Sequence, residues 1–202
     1  RGVIVTAGTG SGKTLAFYLP AFLQLTELLG DGSPWVKTQA IYPRTELLRD
    51  QLSECLRMAR RVADKLHATG RRGFTLGALY QAVPYDASDQ SLTQAGWKPL
   101  RNGDWLCPIL LCPNTGDELL WAKADRQAGI ERLVRCHNRA VAVEASELIL
   151  TRRRLLEQPP DILFSTVEML NRRLSDTTVR RLFGIGQPPS RRPPLMLLDE
   201  VH

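Results

Sequence analysis

Four cysteines at uneven spacing in 202 residues are too few and too irregular for a secreted disulfide framework. They point to a reducing compartment, read here as the cytoplasm. No apolar run approaches the ~20 residues that a membrane-spanning helix requires. The opening Arg1-Gly2-Val3-Ile4-Val5-Thr6 lacks the organisation of a signal peptide. No internal repeat is found, which excludes a repeat array. There is no initiator Met ahead of a run that already reads as a strand, so the sequence is expected to be cut at its start.

What is present fits one sizeable domain, or one domain with an insertion. Hydrophobic residues make up 43% and charged residues 24%, ordinary usage for a folded chain with a buried core. Lys and Arg number 27 against 21 Asp and Glu, a net charge of +6. That excess suits a polyanionic partner, because basic side chains displace counterions from a phosphate backbone. A solubilising surface fits the same excess.

Gly2 to Thr6 reads as a buried parallel strand, and Leu15 to Leu29 carries an apolar helical pattern. Gly30 to Pro34 is a loop by composition. Thr38 to Tyr42 reads as a second strand, stopped at Pro43. After Thr45, a candidate N-cap, apolar residues recur at Leu48, Leu52, Cys55, Ala59, Val62 and Leu66, the buried face of a long helix. Phe74 to Tyr80 is a third strand candidate. Asp161 to Thr166 is another, with a helix from Val167. Gly184 to Pro194 is a Gly/Pro-rich loop, and Leu195 to Leu198 is a last buried strand. Alternating strands and helices predict an α/β domain built on a parallel sheet flanked by helices. Between Gln81 and Gln158 the rhythm breaks. That stretch holds Trp97, Trp105, Trp121, Cys107, Cys112 and Cys136, and reads as an insertion with its own small core, ending in a helix near Ile130 to Leu156. The expected organisation is therefore residues 1–80 and 159–202 as one domain and 81–158 as the insertion.

Ala7-Gly8-Thr9-Gly10-Ser11-Gly12-Lys13-Thr14 sits between a predicted strand and a predicted helix. A phosphate-binding loop needs small residues so that backbone N–H groups turn inward, a Lys to reach the outer phosphates and a hydroxyl to hold Mg²⁺. Gly8, Gly10 and Gly12 supply the turns, with Thr9 and Ser11 between them. Lys13 supplies the charge and Thr14 the hydroxyl. Ala7 stands where the strict pattern has Gly. At the other end, Leu195 to Leu198 delivers Asp199-Glu200-Val201-His202 to the carboxyl edge of the sheet. Asp199 is the candidate second Mg²⁺ ligand, and Glu200 the candidate group that polarises an attacking water.

These two segments resemble the first and second signature motifs of DEAD/DEAH-box superfamily 2 helicases, specifically their first, ATP-binding RecA-like domain. Tyr42-Pro43-Arg44-Thr45-Glu46-Leu47-Leu48-Arg49-Asp50-Gln51 resembles the family's strand-to-helix segment that grips the nucleic-acid backbone. Ser165-Thr166-Val167-Glu168-Met169-Leu170 resembles the segment that does the same on the neighbouring loop. The resemblance implies ATP and Mg²⁺ as cofactors and a nucleic-acid partner met by Pro43, Arg44, Thr45, Ser165 and Thr166. It also implies coupling of nucleotide state to movement through His202, and a second RecA-like domain that supplies the remaining arginines. That second domain lies outside the 202 residues. The third letter of the last motif is Val, which departs from the DEAH pattern. A solvated surface arginine is the alternative for Arg44, and a plain helix N-cap the alternative for Thr166.

Cys107-Pro108-Ile109-Leu110-Leu111-Cys112-Pro113-Asn114-Thr115-Gly116 looks like a worn zinc ribbon, with Thr115 in the place of a third cysteine. Cys107, Cys112 and Cys136, with His137 adjacent, are candidate zinc ligands; three buried thiols in a Trp-rich core are the alternative. Cys55 lies on the apolar helix face and reads as core. Arginine groups at 60–61, 71–72, 152–154, 172–173, 180–181 and 191–192 read mostly as solvated faces, with Arg172 and Arg173 the best candidates for a nucleic-acid track. The expected activity is ATP hydrolysis coupled to movement on, or opening of, nucleic acid, with DNA favoured over RNA. An AAA-type remodeller and a non-catalytic nucleic-acid-binding domain are the rival readings.

Overall fold

Runs of apolar residues without polar alternation need cover on both faces, and the chain places four such runs side by side. The computed structural model describes residues 13–29 and 34–198, without the side chains of residues 13–17. Its parallel strands are β1 (Thr38–Tyr42), β2 (Leu76–Leu79), β8 (Leu148–Ile149), β9 (Ile162–Thr166) and β10 (Leu195–Leu198). They form one sheet in the order β10-β1-β9-β2-β8. Every residue of β1, β2 and β9 is buried, whereas β10, expected to be buried, leaves Met196 and Leu198 exposed. The strand expected over Gly2 to Thr6 lies outside the described residues.

Helix α1 (Lys13–Leu28) is fastened to this sheet by Tyr18, whose hydroxyl lies 2.6 Å from that of Tyr42 at the end of β1. Tyr42 in turn stacks on Phe164 of β9 at 5.9 Å between ring centres, and Phe22 stacks on Phe74 at 5.3 Å. Helix α2 (Thr45–Ala68) buries Leu48, Leu52, Cys55, Leu56, Ala59 and Leu66 along one face, as the periodicity predicts. Its N-cap is Arg44, not Thr45. Arg44 keeps extended backbone (φ −129°, ψ 146°) after Pro43, so Thr45 becomes the first helical residue.

A second, antiparallel sheet occupies residues 98–143. Its strands are β3 (Lys98–Pro99), β4 (Trp105–Leu106), β5 (Leu119–Trp121), β6 (Leu133–Arg135) and β7 (Val141–Val143), paired in chain order. Two short helices, α3 (Asp89–Gln94) and α4 (Lys123–Gln127), flank it. Trp97 and Trp121 meet at 5.8 Å, and their indole N–H groups donate to the Ala82 and Ile130 carbonyls. Both sheets share one buried cluster that runs from Tyr18 through Phe164 to Trp121. The helix expected over Ile130 to Leu156 is not formed; β6, β7 and β8 occupy that stretch, and only α5 (Arg152–Glu157) is helical. The hairpin between β6 and β7 turns at Arg139, whose φ of 60° is unusual for a residue other than glycine.

Strand β8 and helix α5 return the chain from the second sheet to the first. Gly77 of β2 permits the close seat of α5: a Cβ there would stand 2.4 Å from Leu155 Cδ2 and 2.9 Å from Pro160 Cγ. Arg60 of α2 holds the same region from the other side, donating to Glu147 at 2.6 Å and to the Ala142 carbonyl. After β9 come α6 (Val167–Arg173) and two single 3₁₀ turns at Arg180–Phe183 and Pro189–Arg191.

Candidate nucleotide and nucleic-acid site

The parallel register decides what can meet at the carboxyl edge of the main sheet. Tyr42 of β1 pairs with Thr166 of β9, Ser165 with Leu79 of β2, and Ile41 with Leu198 of β10. Four strands thus end level. The described segments that follow them, from Pro43, Tyr80 and Val167, all leave from that edge. In parallel α/β sheets this is where ligands bind.

Lys13 and Thr14 are the first two residues of α1. Ala7, Gly8, Thr9, Gly10, Ser11 and Gly12 lie outside the described residues, as do Asp199, Glu200, Val201 and His202. The Tyr18–Tyr42 hydrogen bond, in the second turn of α1, sets where that helix starts relative to the end of β1.

Pro43 and Arg44 are exposed, and Thr45 is half-buried at the head of α2. The Arg44 carbonyl accepts from Leu48 N at 3.1 Å, while no side chain caps the helix. The first N–H groups of α2 thus have no capping side chain beside the exposed Arg44 guanidinium. Ser165 is buried, and its hydroxyl donates to the Leu79 carbonyl at 3.0 Å, so it ties β9 to β2. Thr166 caps α6: its hydroxyl accepts from Met169 N at 3.2 Å. Arg172 pairs with Glu168 at 3.3 Å on the exposed face of α6, and Arg173 with Asp176 at 3.3 Å.

Thr166 can be tested directly. Thr166→Ala removes the cap and lowers stability by about 1 kcal/mol, whereas Thr166→Ser retains a hydroxyl acceptor and stays within a few tenths of the parent. Urea denaturation of the three proteins gives the comparison. Equal midpoints for Thr166→Ala and the parent contradict the capping role.

The candidate zinc ligands do not form a metal centre. Among the described residues, no three His, Cys, Asp or Glu side chains are grouped closely enough to hold a metal ion. Cys107 is buried in the shared core, and burial pushes its thiol up to about 12. Cys112 behaves differently. Burial works against its ionisation, but the Thr115 hydroxyl and the Asn114 and Thr115 N–H groups hold it below the usual thiol value. Thr115 also donates to Asp117 at 2.5 Å, and His137 Nδ1 lies 3.6 Å from the same carboxylate. Hydrogen bonds join the groups there.

Two features escape a reading of residue types alone. The first is a buried ion group at the opposite, amino-terminal edge. Asp161 receives Lys37 Nζ at 3.0 Å, Arg72 at 2.5 Å and Thr75 N at 2.9 Å, and its carbonyl accepts from the Lys37 and Thr38 N–H groups. Lys37 is only 1% exposed and Asp161 2%. The second is Arg152, which the topology carries to the carboxyl edge although its Arg152-Arg153-Arg154 triplet reads as a solvated face. A polar residue immediately before a buried strand was the one available signal for Lys37 and Asp161.

No helix among the described residues is long and apolar enough to cross a membrane. Residues 1–83 match the family model DEAD/DEAH box helicase. No curated protein and no solved structure matches the chain. The five-stranded parallel sheet flanked by helices is an α/β arrangement consistent with a RecA-like domain. Residues 1–83 are thus similar to a DEAD/DEAH box helicase domain, and the parallel sheet fits that similarity.

Proposed function

We propose that the chain is the ATP-binding half of a helicase or translocase that hydrolyses ATP to move on, or open, nucleic acid, with DNA the favoured substrate. The observation that carries this reading is the common edge. Arg44 and Thr166 stand where β1 and β9 end level with β10, and in the sequence the glycine loop precedes Lys13 and Thr14 of α1 while Asp199 and Glu200 come next after Leu198. The donor set fits Mg-ATP: an ammonium for the outer phosphates, a hydroxyl and a carboxylate for the metal, and a second carboxylate for water. Mg-ATP, when bound, supplies the anhydride bond whose cleavage drives the motor. Lys13 holds phosphate oxygens, Thr14 and Asp199 orient the Mg²⁺, and Glu200 orients and polarises a water. Exposed Arg44 and the α2 N-terminus offer charge and N–H groups to a phosphodiester backbone. A second RecA-like domain in the same polypeptide completes the site with arginines, and His202 couples the two halves.

Isothermal calorimetry tests the nucleotide half of this proposal. Lys13→Ala removes the loop's only positive charge and weakens Mg-ATP binding by roughly tenfold or more. Equal affinities for Lys13→Ala and the parent would end the assignment.

A further inference from the structure

Arg152 belongs by sequence to the stretch that interrupts the parallel sheet, yet it lies at the edge where Arg44 and Thr166 lie. Its Nη2 points at the Tyr80 and Gln81 carbonyls, at 3.3 and 3.5 Å. These are the first residues beyond β2, whose Leu79 pairs with Ser165, the residue before Thr166. Across β1, β9 and β2, adjacent strands therefore bring Arg44, Thr166 and Arg152 to one edge. With neighbouring strands about 4.8 Å apart, the row spans roughly 10 Å.

The position of Arg152 is built, not incidental. Thr151 caps α5, accepting from Arg154 N at 3.3 Å, and its hydroxyl donates to buried Glu131 at 2.5 Å. Glu131 also accepts from Leu150 N at 2.6 Å. The Arg152 and Arg153 N–H groups donate to the Pro84 and Tyr85 carbonyls, both at 2.9 Å. Two bonds thus fix the first turn of α5 to the segment that follows β2, and two more tie its start to Glu131.

The charge of Arg152, by contrast, is unanswered. Among the described residues no carboxylate forms an ion pair with it, and its Nε is buried without an acceptor. Burial, and then the nearby Arg173 charge, hold its guanidinium below the usual arginine value. Arg173 itself pairs with Asp176. A second buried guanidinium nitrogen without an acceptor, Arg49 Nε, belongs to an arginine whose charge also reaches Tyr80. Buried donors without acceptors are rare in folded proteins, and like charges gather where an anion is to sit.

We propose that Arg152, carried in by α5, is a phosphodiester-binding residue that extends the nucleic-acid face from Thr166 across β2. The inference rests on the nucleic-acid reading above and makes the interrupting stretch a part of the binding face.

Fluorescence anisotropy with a dye-labelled single-stranded oligonucleotide, at several salt concentrations, tests it on the parent chain, Arg152→Gln, Arg44→Gln and Arg61→Gln. Arg61 is exposed on α2, away from the sheet edge, and controls for the loss of one charge. Arg152→Gln should weaken binding roughly three- to tenfold at about 0.1 M salt and lower the slope of log Kd on log salt by about 0.7. Arg61→Gln should match the parent, and Arg152→Lys should recover part of the loss. If Arg152→Gln binds like Arg61→Gln while Arg44→Gln is weakened, the inference fails and the nucleic-acid reading stands. If the parent binds no oligonucleotide, both fall. Melting temperatures equal to the parent's exclude a folding defect, and Arg152→Lys keeps the comparison open if Arg152→Gln does not fold.

Discussion

Asp161→Asn should destabilise the fold by about 3–5 kcal/mol, the cost of leaving a buried ion without its partner. Lys37 is sealed between β1 and the start of β9, with its ammonium 3.0 Å from Asp161 and 4.8 Å from the centre of the Trp35 ring. An amide at position 161 keeps the size and some hydrogen bonds but cannot neutralise Lys37 or Arg72. For a chain of this length the loss corresponds to a fall in Tm of roughly 10 °C. Replacing the pair together, as Lys37→Met with Asp161→Asn, should recover a good part of it, because an apolar side chain needs no counter-charge. The pH dependence has a defined sign. Burial opposes ionisation of Asp161, but Arg72, the Thr75 N–H and Lys37 together hold its carboxyl below the usual value. A group whose folded pKa is depressed stabilises above its unfolded value, about 3.9 for Asp, and loses that contribution as pH falls through the folded value. Parent stability should therefore drop below about pH 4 with a component that Asp161→Asn lacks. A change within ±0.5 kcal/mol, the usual range for surface sites, would mean that the ion group bears no weight.

That ion group sits at the far edge of the sheet from the proposed chemistry, yet it bears on it. Asp161 joins the start of β9 to β1 through Lys37 and to β2 through Thr75. The register it helps to fix is the one that sets Tyr42 beside Thr166 and Leu79 beside Ser165. A one-residue slip would send alternate side chains to the other face. Stability at one edge is in this sense geometry at the other.

Four of the five described strands of the main sheet were legible in the sequence to within a residue or two from their β-branched and apolar runs, whereas β8, two residues long, was read as helix. Thr38–Tyr42 and Leu195–Leu198 fall where the runs fall, and α2 follows its buried periodicity from Leu48 to Leu66. The second sheet was not legible, for a local reason. Its strands are two or three residues long, too short to show a period. The β6–β7 turn places its positive φ on Arg139, which carries no turn signature. Asn138, whose side chain accepts from Ala140 N at 3.0 Å, was the one clue to that turn. A helix over Ile130 to Leu156 was the natural misreading. The cysteines misled in a similar way, since spacing alone does not tell that Cys107 belongs to the core. For the candidate site, the motifs showed which residues to consider, while pairing across β1, β9 and β2 was needed to bring Arg152 among them.

Glu200→Gln should leave ATP affinity near that of the parent and lower nucleic-acid-stimulated turnover by about 10²-fold or more, the scale of a lost general base. Under the proposed function the measurement belongs in a polypeptide with both RecA-like halves, because arginines from the proposed second half would stabilise the transferring phosphoryl group. Gln keeps the length and hydrogen-bonding reach of Glu200 but has no negative charge with which to polarise water. Asp199→Ala should behave differently, since Asp199 is proposed to orient Mg²⁺: the Mg²⁺ dependence of nucleotide binding weakens before turnover is considered. β10 ends at Leu198, level with Ile41 of β1, and Asp199 and Glu200 are the next two residues in the sequence. If they are only surface charges at a strand end, neither change should move stability beyond about ±0.5 kcal/mol, nor turnover at all. Steady-state ATPase assays with saturating nucleic acid, together with titration of Mg²⁺ against bound nucleotide, separate the two roles. Parent-like turnover by Glu200→Gln would remove the proposed catalytic site.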